Sequence, residues 1–62
     1  MLHEFLIVLK NQLTNEEKEI KVCFPAHDGY LDNWAKTLAK AEVELLMLDS
    51  AWYIKCIESY LG

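Results

Sequence analysis

The residues of this chain best equipped for chemistry are two cysteines and two histidines: His3, Cys23, His27 and Cys56. Cys₂His₂ is a chemically sound tetrahedral zinc set. Its spacing argues against one, because the four ligands stand singly over more than fifty residues, whereas structural zinc sites draw on close ligand pairs. Cys23, His27 and Asp28 carry the ingredients of a thiol nucleophile with its base and orienting carboxylate. Adjacent His-Asp does not give the geometry a triad needs, and no oxyanion loop is recognisable. The adjacent carboxylates Glu16 and Glu17 fall in a polar turn, where solvation is the expectation. The only glycines, Gly29 and Gly62, form no phosphate-cradling loop. A chain of 62 residues also has little room for a substrate pocket of roughly 300 Å³ or more. The expectation is therefore a chain with no catalytic residue, no metal and no cofactor.

Binding is the better-supported kind of activity. Trp and Tyr dominate interface hot spots. Trp34 reads as core, but Trp52 and Tyr53 are neighbours in a β-rich segment, so one of them, here taken as Tyr53, points away from the core. Ten acidic residues against six lysines give a net charge of −4, and Glu16, Glu17, Glu19, Asp28, Asp32 and Glu44 could steer a basic protein partner. The lysines (10, 18, 21, 36, 40 and 55) are scattered, and there is no arginine. Both features disfavour direct nucleic-acid binding, which needs a concentrated basic face.

These residues must be positioned by one small domain spanning 1–62. Leu2 to Lys10 is a short apolar run suited to a central strand buried on both faces. Thr14 to Glu17 is a turn. Glu19 to Phe24 alternates, with Ile20, Val22 and Phe24 on one side, and Pro25 ends it. The two strands make a hairpin. Asp28 is placed to cap a helix from about residue 30 to 48, whose apolar stripe runs through Leu31, Trp34, Leu38, Ala41, Leu45 and Leu48, with Asn33, Lys36, Lys40 and Glu44 opposite. Glu42 interrupts the stripe. It either reaches solvent at the rim, marks an early helix end near Lys40 with a strand after it, or is a functional carboxylate held among apolar groups. Trp52 to Tyr60 has strand propensity, although Lys55, Glu58 and Ser59 would also share a helix face. The fold class is α+β: ββαβ, a three-stranded antiparallel sheet in the order 2-1-3 with one long helix on one face. ββαβα and ββαα remain open.

One helix covers one face of a sheet. With Phe5, Ile7, Leu9, Ile20, Val22, Phe24, Ile54 and Trp52 under the helix, alternation sends Leu6, Val8, Cys23, Tyr53 and Ile57 to the far face. That face lacks the polar residues of a solvated sheet. A second copy, another protein, or the last segment folded as a helix would cover it. Cys23 and Cys56 lack a CxxC spacing and read as reduced, buried thiols. The apolar stretch Phe5–Leu9 is too short for a signal peptide or a span, so no membrane association is expected and the expected location is the cytoplasm.

The order of features resembles the very small accessory proteins of bacteriophages and other mobile elements. The likeness rests on an apolar first strand, a second strand ending Phe24-Pro25-Ala26, an Asp-led helix with Trp34-Ala35, and a short closing strand. Through Lys18-Glu19-Ile20, Trp34-Ala35 and Ala41-Glu42-Val43 it also looks like a phage antitoxin that blocks a host RNase toxin. The resemblance implies an inhibitor of the anti-CRISPR or antitoxin kind, which works by occupying the surface of a host protein, including one in a nucleic-acid-binding complex, in the host cytoplasm. The alternative is a structural homodimeric subunit.

Overall fold

The computed structural model describes residues 1–61 of the chain. It consists of β1 (Leu2–Asn11), β2 (Glu17–Pro25), a short 3₁₀ turn (Ala26–Asp28), α1 (Tyr30–Leu46) and β3 (Trp52–Leu61). The three strands form one sheet in the order β2-β1-β3, with β1 antiparallel to both neighbours. The ββαβ expectation holds, and the closing segment is a strand rather than a second helix.

β1 is central because its apolar run can be buried from either side. Phe5, Ile7 and Leu9 face α1 and are fully buried. Rings surround Phe5: Phe24 at 6.2 Å, Tyr30 at 5.9 Å and Trp34 at 6.1 Å between centroids. The other half of the core joins Ile7, Leu9 and Ala41 to Ile20, Leu45, Leu48, Trp52, Ile54 and Ile57. The hairpin turns through Asn11, whose carboxamide oxygen accepts from the backbone N–H of Leu13 (2.8 Å) and Thr14 (3.0 Å). Asn15 completes the reversal at φ 63°, a left-handed conformation that Asn tolerates better than most residues.

Gly29, at φ 93°, opens α1, and its carbonyl accepts from Asn33 N–H. Asp28 does not cap the helix; its carboxylate lies 3.4 Å from Lys36 Nζ and 3.4 Å from His27 Nε2. α1 continues past Lys40 and Glu42 to Leu46, so no strand begins at Val43. Glu42 lies exposed on the surface, in agreement with the rim explanation.

The phase of α1 departs from the pattern in its sequence. Asn33, Thr37 and Ala41 are its buried residues, whereas Leu31 and Leu38 of the expected stripe are exposed. Asn33, expected on the solvent side, is completely buried. Its Nδ2 donates to His3 Nδ1 at 2.8 Å and to the Pro25 carbonyl at 3.0 Å, and Thr37 Oγ1 donates to the Asn33 carbonyl at 2.8 Å. An amide nitrogen only donates, so Nδ1 of His3 accepts and the ring proton sits on Nε2. This polar joint ties β1, the end of β2 and α1 together. Buried polar groups need such partners, and among the described residues Asn33 Oδ1 is a buried side-chain atom that lacks one.

β3 departs from simple alternation as well. Its register against β1 shifts between Val8 and Leu9, with Cys56 opposite Val8 and Ile54 opposite Leu9. Lys55 is the extra residue of a β-bulge. Ile57 therefore lies opposite Ile7, in the core under α1, and not on the far face where unbroken alternation places it.

Candidate protein-interaction surface

The far face of the sheet is more polar than the sequence pattern implies. Leu6 and Val8 lie on it, but Val8 is only 6% exposed, because β2 and β3 flank it with Glu19 and Cys56. Lys55 reaches across β1 to place Nζ 3.0 Å from Glu17 Oε2, and Lys21 lies 3.9 Å from Glu4. The bond and charge of Lys55 hold the Glu17 carboxyl below its usual range, and Glu17 in turn raises Lys55. Tyr60 donates to Glu58 at 2.6 Å, and that bond raises the phenol. Tyr53 and Tyr60 are exposed at this face. The face is thus three aliphatic residues of β1, Leu2, Leu6 and Val8, inside a frame of charges, thiols and phenols, not a broad apolar plane.

The acidic residues expected to steer a partner do not form one field. Glu16, Glu17 and Glu19 lie at or near the hairpin tip, Asp28 and Asp32 at the entry of α1, and Glu44 near its exit. Glu17, Asp28 and Glu44 each hold a lysine: Lys55, Lys36 and Lys40. The candidate chemical sets are dispersed too. His3 is buried beneath α1. Cys23 donates to Glu4 Oε1 at 3.7 Å on the far face, and His27 is exposed beside Asp28. Cys23 and Cys56 are exposed rather than buried. Among the described residues no cluster of three or more His, Cys, Asp and Glu could hold a metal, no concave pocket is present, and no helix is long and apolar enough to cross a membrane.

The apolar surface lies elsewhere, on α1. Leu31 is 78% exposed, Leu38 38% and Leu46 86%, and Ala35 and Ala39 beside them are exposed. At about 100° per residue these positions fall on one flank of the helix, with the exposed carboxylate of Glu42 among them. Leu31, Leu38 and the half-buried Leu45 are seven residues apart, the repeat of a helix that packs against another helix. α1 lies over β1 and β3. Lys36, on its opposite flank, sits 5.6 Å above the ring of Phe24 in β2. Leu31 and Leu38 therefore face away from β2, toward the outer edge of β3, while Leu46, about 80° around the helix from Lys36, points away from the sheet. The sequence pattern assigns Leu31, Leu38 and Leu45 to the core. Asn33 and Thr37, at helical spacing among them, carried the signal for the true phase.

Helix α1, packed on the three-stranded sheet, thus carries an exposed leucine flank, and no pocket is present among the described residues. No family model, curated protein or solved structure matches the chain.

Proposed function

We propose that this chain is a non-enzymatic protein-interaction module that acts by occupying a partner's surface with the outward flank of α1. One observation carries the reading: Leu31 and Leu46 stand in solvent while Asn33 and Thr37 take core positions in the same helix. An exposed apolar strip of this kind marks an interaction site more often than it serves a lone domain. The specific form suggested by the resemblance to mobile-element proteins is inhibition of a host defence or toxin protein in the cytoplasm. Two unpaired, exposed thiols suit that reducing compartment. The reading includes no direct nucleic-acid contact, since four of the six lysines lie against carboxylates of the same chain.

The test is crosslinked affinity capture from the native cell with three baits: the parent, Leu31→Glu/Leu46→Glu and Tyr53→Ala. Circular dichroism checks that each bait is folded. The expected result is a partner set at least about tenfold depleted by the leucine substitutions, the scale of a lost hot spot, and retained by Tyr53→Ala. Equal capture by parent and leucine variant would refute the assignment.

A further inference from the structure

We infer that the leucine flank of α1 is covered by a second copy of this chain, joined through the free edge of β3. Two three-stranded sheets become one six-stranded sheet, and the two α1 helices lie side by side across a two-fold axis. This rests on the flank being an interaction surface, and a second copy seated there competes with the host protein for the same flank.

The choice of edge comes first. β2 and β3 are both outer strands and each leaves a row of backbone donors and acceptors unpaired. β2 reads Glu17-Lys18-Glu19-Ile20-Lys21 and ends in Pro25. Charges and proline are the usual means of blocking strand addition. β3 runs Trp52-Tyr53-Ile54-Lys55-Cys56-Ile57-Glu58-Ser59-Tyr60, rich in aromatic and β-branched residues that favour pairing.

Spacing then selects a copy of this chain over a bare strand. α1 lies over β1 and β3, so joining β3 to β3 sets the two helix axes two strand spacings apart, about 10 Å. Packed helices stand about 8–10 Å apart. The flank brought to this contact lies about 140–160° around the helix from Lys36, the flank of Leu31 and Leu38.

Self-complementarity gives the register. A two-fold interface requires one patch to match itself. With the bulged pair Lys55 and Cys56 counted as one position, the axis passes through Ile57, which lies opposite Ile57 of the second copy; Lys55, on leaving Glu17, then lies opposite Glu58, twice over, and Tyr53 opposite Tyr60. The bulge makes this register consistent. It brings Tyr53 and Lys55 onto the same face as Glu58 and Tyr60, so odd and even positions meet with their side chains on one side. On the helix, Leu38 is the centre, with Leu31 and Leu45 equidistant, so antiparallel helices set Leu38 on Leu38 and Leu31 on Leu45. The two centres lie about one strand residue apart. Tyr30 meets Ser59 with their hydroxyls 3.2 Å apart, and Leu48 shares the core with Trp52, which puts Leu38 above Cys56, next to Ile57.

Sedimentation equilibrium of the purified chain tests the inference, against a protomer mass of 7.2 kDa. The expected result is a dimer that Leu38→Glu and Lys55→Glu each weaken by about tenfold or more, since like charges then oppose across the strand pair. Lys55→Glu/Glu58→Lys restores the parent affinity. In a Cys23→Ser background, a short bis-maleimide, to whose two double bonds the thiols add, links the protomers through Cys56. Should Leu38→Glu fail to fold, the charge reversal and its restoration on the exposed strand decide the matter alone. A dimer indifferent to all these changes, or one crosslinked through Cys23 and not Cys56, overturns the inference. A chain that stays monomeric at about 100 μM, ten times a Kd of roughly 10 μM, overturns it too. If the leucine baits then still lose their captured partner, the docking surface stands and only its occupant was misassigned; if they do not, both readings fail.

Discussion

Replacing Asn33 by alanine tests the joint that sets the phase of α1. The side chain is fully buried, and its Nδ2 serves two acceptors, His3 Nδ1 at 2.8 Å and the Pro25 carbonyl at 3.0 Å. Alanine leaves both without a donor, and each buried unpaired group costs about 1–3 kcal/mol. The substitution also removes Oδ1, itself buried and without a partner, which returns one such term. The net loss is about 1–3 kcal/mol, against a total of about 3–9 kcal/mol for a domain of this length. With a urea slope of about 1 kcal/mol/M, the midpoint falls by about 1–3 M, read by the fluorescence of Trp34 and Trp52. The double variant His3→Phe/Asn33→Leu removes both partners at once and should lie closer to the parent than the sum of its singles. Such coupling between touching residues amounts to about 0.5–3 kcal/mol. An Asn33→Ala midpoint within about 0.5 M of the parent, or strict additivity in the cycle, would show that this joint does not hold the helix.

Three further outcomes follow from named contacts. Lys55→Gln should return the Glu17 carboxyl toward its usual titration range, followed by carboxyl NMR. Because Glu17 is lowered when folded, the stabilisation from this pair is present above the unfolded carboxylate range and fades as pH falls through the folded value; because Lys55 is raised, it persists at neutral pH and is lost only as pH rises past the lysine range. Ile57→Ser should cost about 2–4 kcal/mol in urea denaturation and Cys56→Ser less than about 0.5 kcal/mol, and the reverse ranking would place the bulge elsewhere. Asn11→Ala removes the acceptor of two turn N–H groups and should cost about 1–3 kcal/mol by the same measurement, at roughly 0.5–1.5 kcal/mol per hydrogen bond.

The strands were legible because their signals are local. A continuous apolar run gave β1, the alternation of Ile20, Val22 and Phe24 gave β2, and aromatic and β-branched density gave β3. The assignment of Ile57 to the far face failed for a physical reason: alternation has a period of two, and one extra residue inverts every position beyond it. Nothing in Ile54-Lys55-Cys56-Ile57 announces that residue. The inversion becomes visible only once Ile7 demands an apolar neighbour across the strand pair. The polar run puts the hairpin turn at Thr14 to Glu17, but its organiser is Asn11, whose short carboxamide can mimic a backbone turn. The candidate chemical residues are separated in space, since the sheet sends Cys23 and Cys56 to one face and His3 to the other. The two thiols nevertheless lie open rather than buried.

The helix carries the larger lesson, because its leucine count and its buried face disagree. A lone domain gains most by turning Leu31, Leu38 and Leu45 onto the sheet. Here α1 is turned by roughly half a residue step from that orientation. One polar residue of β1 accounts for the difference. His3 lies on the helix side of the sheet, 5.7 Å from Tyr30 and 6.3 Å from Phe5 by ring centroid, and once enclosed it needs a hydrogen-bond partner. Asn33 supplies one only when it faces inward, and Thr37 and Ala41 follow it on the same row. Leaving a leucine in water forgoes about 1.5–3 kcal/mol of burial. Leu31 and Leu46 together thus forgo about 3–6 kcal/mol, comparable to the entire stability of so small a domain. That stabilisation returns when another surface covers the flank. The aromatic-polar joint beneath the helix and the leucines along its side are therefore two results of one rotation: the core accepts polar residues, and the surface keeps the apolar ones that a partner can bury.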